Sequence, residues 1–385
     1  MRILILGDIG ASRSNVQAFC NAEKDLFSAE IQEKCAEADL VLINLEKPLT
    51  DVIAPLGKCP PDYAAPTKTI NGIKLLNPTI ATLANNHIMD QREQGLKSTI
   101  EVLEENGIQY VGAGNNLQES RKPLIIKKKE TRIGIYACCE KEFSYATETT
   151  PGANVFDPLI AFDDIEELKK SCDYLIVLFH GGMQGYPYPT PYQQRVCRKM
   201  CEKGADLVVC QHSHIIGCEE KYADGTIVYG QGNFLLDDVS DVNWQSGIII
   251  EATVETDKAS IYYIPTKTDK HKVILHPDSE YIHKQFQERT EKIQKGNTVE
   301  KLFSDFSEKR LSAYLVKLSG KSVLTQKIFG RMGITKQYKK MYTKGKCNRI
   351  LDYFYCDSHR EAIEHGLIRH IQNKEDNERI KGDIK

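Results

Sequence analysis

The sequence predicts an α/β fold of sheets covered by helices, followed by a charged helical C-terminal region. Alternation carries the first half of this reading. Through roughly the first 250 residues, short apolar runs rich in Val and Ile trade places with stretches of helical spacing, as in layered α/β proteins. Beyond Ile264 the texture turns polar, and the apolar residues recur at helical spacing.

In order along the chain, Ile3–Leu6 reads as a buried first strand, Val16–Ala36 as helix and Leu40–Asn44 as the second strand. Gly72–Leu76 and Ile80–Leu83 are two short apolar runs. A helix over Gln94–Asn106 ends at Gly107, a residue suited to the left-handed C-terminal cap. Gln109–Val111, Leu124–Ile126 and Ile133–Cys138 carry the β-branched enrichment of strands. Asp164–Lys170 is helical, Tyr174–Phe179 a strand, and Tyr192–Lys203 a helix closed by Gly204. Asp206–Cys210, Ile227–Tyr229 and Gly247–Val254 follow as strands. Pro265–Lys272 is polar and loop-like, which divides the chain into residues 1–265 and a helical region, 266–385. In the latter, Leu302, Phe303, Phe306, Leu311, Tyr314, Leu315 and Leu318 fall at spacings that share one helix face.

The chain has 385 residues, 41% of them hydrophobic, enough for a substantial core. A formal charge of -2, with acids and bases nearly balanced, lacks the broad basic footprint of a nucleic-acid partner. The leading apolar run ends at Gly7-Asp8, too short for a secretory signal. No stretch approaches the ~20 apolar residues of a membrane helix. A cytoplasmic protein with no transmembrane segment is expected. The 12 cysteines contain no C-x-x-C pair. Cys138, Cys139, Cys172 and Cys210 sit in or beside apolar runs, where a reduced thiol acts as a small hydrophobe.

Polar residues fall where the strands end. Asp8 follows the first strand, and Asn44 and Glu46 follow the second. Asn85, Asn86, His87 and Asp90 come after Ile80–Leu83, and His180 after Tyr174–Phe179. His212 and His214 follow Asp206–Cys210; Gln231 and Asn233 follow Ile227–Tyr229. Ligands of open α/β sheets gather at such strand ends. Asp8, Glu46, Asn86, His180, His212 and His214 make a mixed nitrogen and oxygen set, suited to Mn, Zn, Fe or Co better than to Mg. On extended backbone, His212 and His214 at i and i+2 point the same way. Two divalent ions could share a carboxylate between them. A rival reading joins Cys210 and Cys218 to these histidines as a structural zinc site. Gly181 and Gly182, after His180, suggest a close approach of backbone to another group.

At these residues the chain resembles the CapA, or poly-γ-glutamate capsule synthesis, family, a branch of the calcineurin-like metallophosphoesterases. The resemblance rests on Gly7-Asp8, Asn44-Leu45-Glu46, Ala84-Asn85-Asn86-His87 with Asp90, and His180-Gly181-Gly182. Gly204-Ala205-Asp206-Leu207-Val208, Gln211-His212-Ser213-His214 and Gly230-Gln231-Gly232-Asn233-Phe234 extend it, in order, over roughly residues 1–255. It implies a four-layer α/β/β/α sandwich and two divalent ions (Mn, Zn or Fe). One ion would be held by Asp8, Glu46 and His214, the other by Glu46, Asn86, His180 and His212, with Glu46 bridging. His87 would be a general acid or charge-stabilising residue with Asp90 beside it. Asn44, Asn85, Gln184, Gln231 and Asn233 would line or brace the site.

Three positions depart from the pattern. A histidine usual two residues after the first aspartate is Gly10 here, leaving the first ion one protein ligand short. The bridging residue is Glu46 rather than the superfamily's Asp, in agreement with the capsule branch. Gln184 stands where family members often carry a glutamate. The resulting expectation is metal-dependent hydrolysis of a phosphoester in surface-polymer metabolism. Amide hydrolysis or transfer on a γ-glutamyl polymer, or a non-catalytic assembly role with structural metal, are the alternatives.

Overall fold

A computed structural model describes the chain apart from residues 59–60, 129, 237–241, 256–258, 270, 319–327, 329–330, 332–339 and 383–385. Its strands open with β1 (Arg2–Ile9), β2 (Leu40–Leu45), β3 (Ile80–Thr82) and β4 (Gln109–Val111). Next come β5 (Ala113–Gly114), β6 (Leu124–Lys128), β7 (Thr131–Cys139), β8 (Gly152–Ala153), β9 (Tyr174–His180) and β10 (Leu207–Gln211). They close with β11 (Glu219–Tyr222), β12 (Gly225–Tyr229), β13 (Asn233–Leu235), β14 (Ser246–Val254), β15 (Ala259–Asp269) and β16 (Lys272–Leu275).

One sheet runs β16-β15-β14-β1-β2-β3-β4, with β13 also paired to β1; a second runs β11-β12-β10-β9-β7-β6, and β5 pairs with β8 in a small third. β1 to β4 are mutually parallel, as are β7, β9, β10 and β12. Strands of the second sheet are buried on both faces, and which of two cores each residue joins decides how the sheets stack, because successive strand residues face opposite ways. Ile133, Ile135, Ile176, Leu178 and Val209 of the second sheet share a core with Ile3, Leu4 and Ile5 of the first. The intervening Tyr136, Leu175, Val177, Val208 and Cys210 join a second core with Ile165 and Leu168, Val196 and Met200. Those last four lie on the helices Ala161–Ser171 and Pro191–Glu202. Helices Ala29–Glu37 and Arg92–Glu105 place Ile31, Cys35, Leu96 and Leu103 in the first core. The result is the four-layer α/β/β/α sandwich, and each fully buried Leu or Ile in it is worth about 1.5–3 kcal/mol.

Two local readings change. Val16–Ala36 is not one helix: Val16–Asn21 ends at Ala22 in the left-handed region (φ 50), and a new helix begins at Ala29. The left-handed residue diverts the chain and stops the first ladder of hydrogen bonds. Pro265–Lys272 is not a loop. β15 continues through Pro265 to Asp269 and pairs antiparallel with both β14 and β16, so polar residues on a half-exposed strand mimicked loop composition. The chain divides into compact units at Met1–Phe303 and Ser304–Lys385. Helices Ser279–Ile293, Thr298–Leu318, Lys344–Tyr355 and Asp357–Gly382 make the C-terminal region helical. Among the described residues, no helix is long and apolar enough to cross a membrane.

Candidate metal centre

Parallel strands of both sheets deliver their carboxyl ends to one place. In the first sheet Asp8 pairs in register with Asn44 on one side and Asn233 on the other. In the second, His180 pairs with Gln211, one residue before His212. Asp8, Glu46 and His214 therefore meet, with one ligand-type atom from each within 4.8 Å of the others, and all three are buried. A second group meets around His180 Nε2. Asn86 Oδ1 lies 3.1 Å from it, His212 Nδ1 3.2 Å, and Glu46 Oε1 3.9 Å. Glu46 Oε1 is also 3.9 Å from His214 Nε2, so this carboxylate stands between the two groups.

Glu46 is the informative member. It has no exposed surface, and neither carboxylate oxygen has a hydrogen-bond partner. Buried oxygens are almost always satisfied, and burying an unpaired carboxylate costs far more than burying a neutral polar group. Cations between Glu46 and the histidines would satisfy both oxygens; the residues present fit divalent metal.

Amides hold the donors in place. Asn44 Nδ2 donates to Asp8 Oδ1 at 2.7 Å and lies 3.1 Å from His180 Nδ1. Asn85 donates to Asn44 Oδ1 and to the Leu45 carbonyl. Asn233 Oδ1 lies 2.8 Å from His214 Nδ1, which turns His214 Nε2 towards Glu46. Gln231 is more remote: its amide donates to the carbonyls of Ile5 and Ile248 on neighbouring strands of the first sheet, and its Oε1 accepts from Gln211 of the second. Gln184 lines a small cavity of about 110 Å³ with Glu46, His87, His214, Tyr63 and Trp244.

The two histidines of Gln211-His212-Ser213-His214 reach the site by a route other than strand alternation. His212 (φ 85) and His214 (φ 58) both occupy the left-handed region. Non-glycine residues there are strained, and such strain gathers at functional sites. Cys210 does not join them. It packs in the outer core with its sulfur 3.5 Å from that of Cys197, which removes the structural-zinc reading. Gly181 and Gly182 are also explained within the protein: a Cβ on either would meet Glu140 or Gln193 at 2.7 Å.

Gly10 has a physical reason. A Cβ there would lie 2.7 Å from Cγ of Lys47 and 2.9 Å from its Cδ. The Lys47 side chain is buried against this glycine, and its Nζ donates to the carbonyls of Ala11 and Leu236. The space a histidine would need is filled by a lysine stem.

His87 sits at the edge of the metal group. Its Nδ1 is 2.7 Å from Asp90 Oδ2, which leaves Nε2 as the nitrogen available to a ligand. Asp90 is wholly buried and also accepts from the Tyr63 backbone N–H at 2.7 Å. Lys58, which sequence reasoning missed, forms a 2.6 Å ion pair with Asp90 and donates to the Asn86 carbonyl. The Lys58 side chain is only 4% exposed. Trp244 was missed too; its ring stacks on His214 with centroids 4.8 Å apart.

Protonation divides the site. Burial and then the neighbouring Asp8 charge push Glu46 up to about 8. Burial opposes charge on His214, yet Glu46 and Asp8 raise it to about 9. Burial, reinforced by neighbouring imidazoles, carries His180 well below its ordinary value and His212 down to about 3. The metal-free site thus holds two neutral imidazoles ready to bind, and extra protons on Glu46 and His214.

The sign of the pH dependence follows. Native Glu46 keeps a proton that the unfolded chain releases from pH 4.5 upward, and native His214 one released from 6.5 upward, so stability is lost as pH rises through these windows to about 8 and about 9. Below 6.5, the unfolded chain protonates His180 and His212 while the native chain does not, so stability falls there as well. Chelator-treated protein should melt highest near pH 6.5, and saturating divalent metal should raise the melting temperature most near pH 8 to 9. Thermal melts across pH 5 to 9 measure both (a flat metal-free profile contradicts the assignment).

A family profile described as bacterial capsule synthesis protein PGA_cap matches residues 2–238. The chain is 32% identical to the PGA biosynthesis protein CapA of Bacillus subtilis over 174 residues, 44% of this chain and 46% of that one. It is 28% identical to a probable polyglutamine synthesis accessory protein of Mycobacterium tuberculosis over 239 residues, 58% of this chain and 63% of the other. In both cases the match covers less than two thirds of the relative's own length. A crystal structure of a phosphatase from Mycoplasma pneumoniae is similar at a TM-score of 0.44 and 14% identity, covering 70% of this chain and 95% of that one.

Proposed function

The chain belongs to the bacterial capsule synthesis protein family PGA_cap, and from that premise we propose that its strand-end site is a dinuclear metal centre hydrolysing a phosphoester. One observation carries the reading: the two buried, partnerless oxygens of Glu46 lie between two groups of nitrogen and oxygen donors. Asp8, Glu46 and His214 would hold one ion; Glu46, Asn86, His180 and His212 the other. Divalent ions bound there, Mn, Zn or Fe by the mixed donor set, would supply Lewis acidity and an activated water.

The chain's own residues do the rest. Asp90 fixes the His87 ring through Nδ1, so that Nε2 donates a proton to the departing oxygen. Lys58 neutralises Asp90 and pins the Asn86 backbone, coupling the acid to a ligand. A cavity of about 110 Å³ beside His87 admits a group of phosphoryl size. The names of the relatives, a PGA biosynthesis protein and a probable polyglutamine synthesis accessory protein, support a substrate drawn from the making of such a polymer, and a cytoplasmic step is part of the proposal.

The test is elemental analysis of purified protein together with product analysis. Two equivalents of metal and release of phosphate from an aryl phosphomonoester are expected. His87→Asn should keep both equivalents while kcat falls by about 10²–10⁴. New amine ends from a γ-glutamyl polymer, without phosphate release, would replace this reading with amide chemistry. Bound metal with no turnover of either substrate class would leave an assembly role.

A further inference from the structure

We propose that Glu142 is a positioning residue for the second ion, fixing the orientation of two of its ligands at once; the inference rests on the dinuclear reading above. Glu142 comes from the loop after β7, in Glu140-Lys141-Glu142, and is supplied by none of the strand-end motifs. Its Oε2 accepts from Asn86 Nδ2 at 3.3 Å, and its Oε1 lies 3.9 Å from His212 Nε2.

Each contact falls on the outward atom of a ligand. An asparagine amide has oxygen and nitrogen of nearly equal shape, and only the oxygen can bind a cation. A carboxylate on Nδ2 selects the rotamer in which Oδ1 faces inward, where it lies 3.1 Å from His180 Nε2. The flipped amide would set its oxygen against Glu142 and its N–H groups towards the cation, unfavourable on both sides. His212 is handled in the same way. Its Nδ1 faces His180 Nε2 at 3.2 Å, while negative charge beside Nε2 favours the tautomer that keeps the proton outside and the inner lone pair free. Outer carboxylates of this kind typically change metal affinity about 10–100-fold.

Ser144 steadies the arrangement two residues on, where its hydroxyl donates to the Asn86 carbonyl at 2.7 Å. The loop after β7 therefore grips Asn86 by both backbone and side chain. The Glu142 side chain is 38% exposed, so its truncation opens no interior cavity, while Asn86 Nδ2 loses its acceptor.

The experiment is metal titration of the full chain by calorimetry with Mn or Zn, comparing wild type, Glu142→Ala and Glu142→Asp, with absorption of the cobalt-loaded protein as a second readout. Wild type should take up two equivalents. In Glu142→Ala the weaker equivalent should lose about 10–100-fold in affinity and its cobalt bands should shift, while the other equivalent keeps its affinity and the chain still melts cooperatively without metal. Glu142→Asp should recover part of the loss. Unchanged affinity for both equivalents in Glu142→Ala overturns the role of Glu142, as does equal weakening of both. Fewer than two equivalents in wild type overturns the dinuclear reading itself, and this inference with it.

Discussion

Glu46→Gln is expected to make the metal-free protein more stable while leaving it unable to hold metal. The two effects have opposite sign because one feature causes both. Glu46 is fully buried without a hydrogen-bond partner, and burial with the nearby Asp8 charge pushes its pKa up to about 8. In the absence of cations the carboxylate is a liability that the fold tolerates. A glutamine keeps the shape, removes the charge and can donate to its neighbours, so the variant should gain about 1–3 kcal/mol at pH 8 to 9. With metal present the order reverses. Wild type gains the full binding stabilisation, whereas the amide offers no charge to share between two ions. Turnover should drop by about 10³ or more, since Lewis-acid stabilisation is worth several kcal/mol. Paired melts with and without chelator, plus elemental analysis, decide it. A variant that is less stable when metal-free, or that retains two equivalents, would falsify the bridging role.

The second large effect is expected at Lys58. Lys58→Met should destabilise the chain by about 3–5 kcal/mol, because it strips the counter-charge from a buried carboxylate. Asp90 has no exposed surface, and Lys58 is the one lysine or arginine paired with it among the ion pairs of the described residues. His87 and the Tyr63 N–H remain to it. The double variant Lys58→Met, Asp90→Asn should recover most of the stability and little of the turnover, since His87 then lacks its anionic brace. Denaturant melts of the two singles and the double form the cycle. A single variant within about 1 kcal/mol of wild type would show the pair to be solvated.

Much of the sandwich and the meeting of donors was legible in the sequence, because each donor directly follows an apolar run whose strand character is plain. Asp8, Glu46, Asn86, His180, His212 and His214 could be read as one group before any geometry was known, on the rule that parallel strands point their carboxyl ends together. Lys58, Glu142 and Trp244 could not. They lie on connections with no periodicity, and only the folded path brings them to Asp90, Asn86 and His214. The turn at His212 and His214 was misread for a related reason: spacing of two suits a strand, and nothing local in Gln211-His212-Ser213-His214 announces positive φ. β15 was hidden by its own polarity, since an outer strand with an exposed face carries the composition of a loop.

The packing of Lys47 against Gly10 has a consequence for descent. Restoring a histidine at position 10 by one substitution drives its Cβ into the lysine stem. Shortening Lys47 first would forfeit its ties to the carbonyls of Ala11 and Leu236 and open a void in the interior. Neither order of steps is neutral for stability, so the two positions are coupled through packing. Other branches with a histidine at this position should carry a smaller or differently directed residue where Lys47 stands.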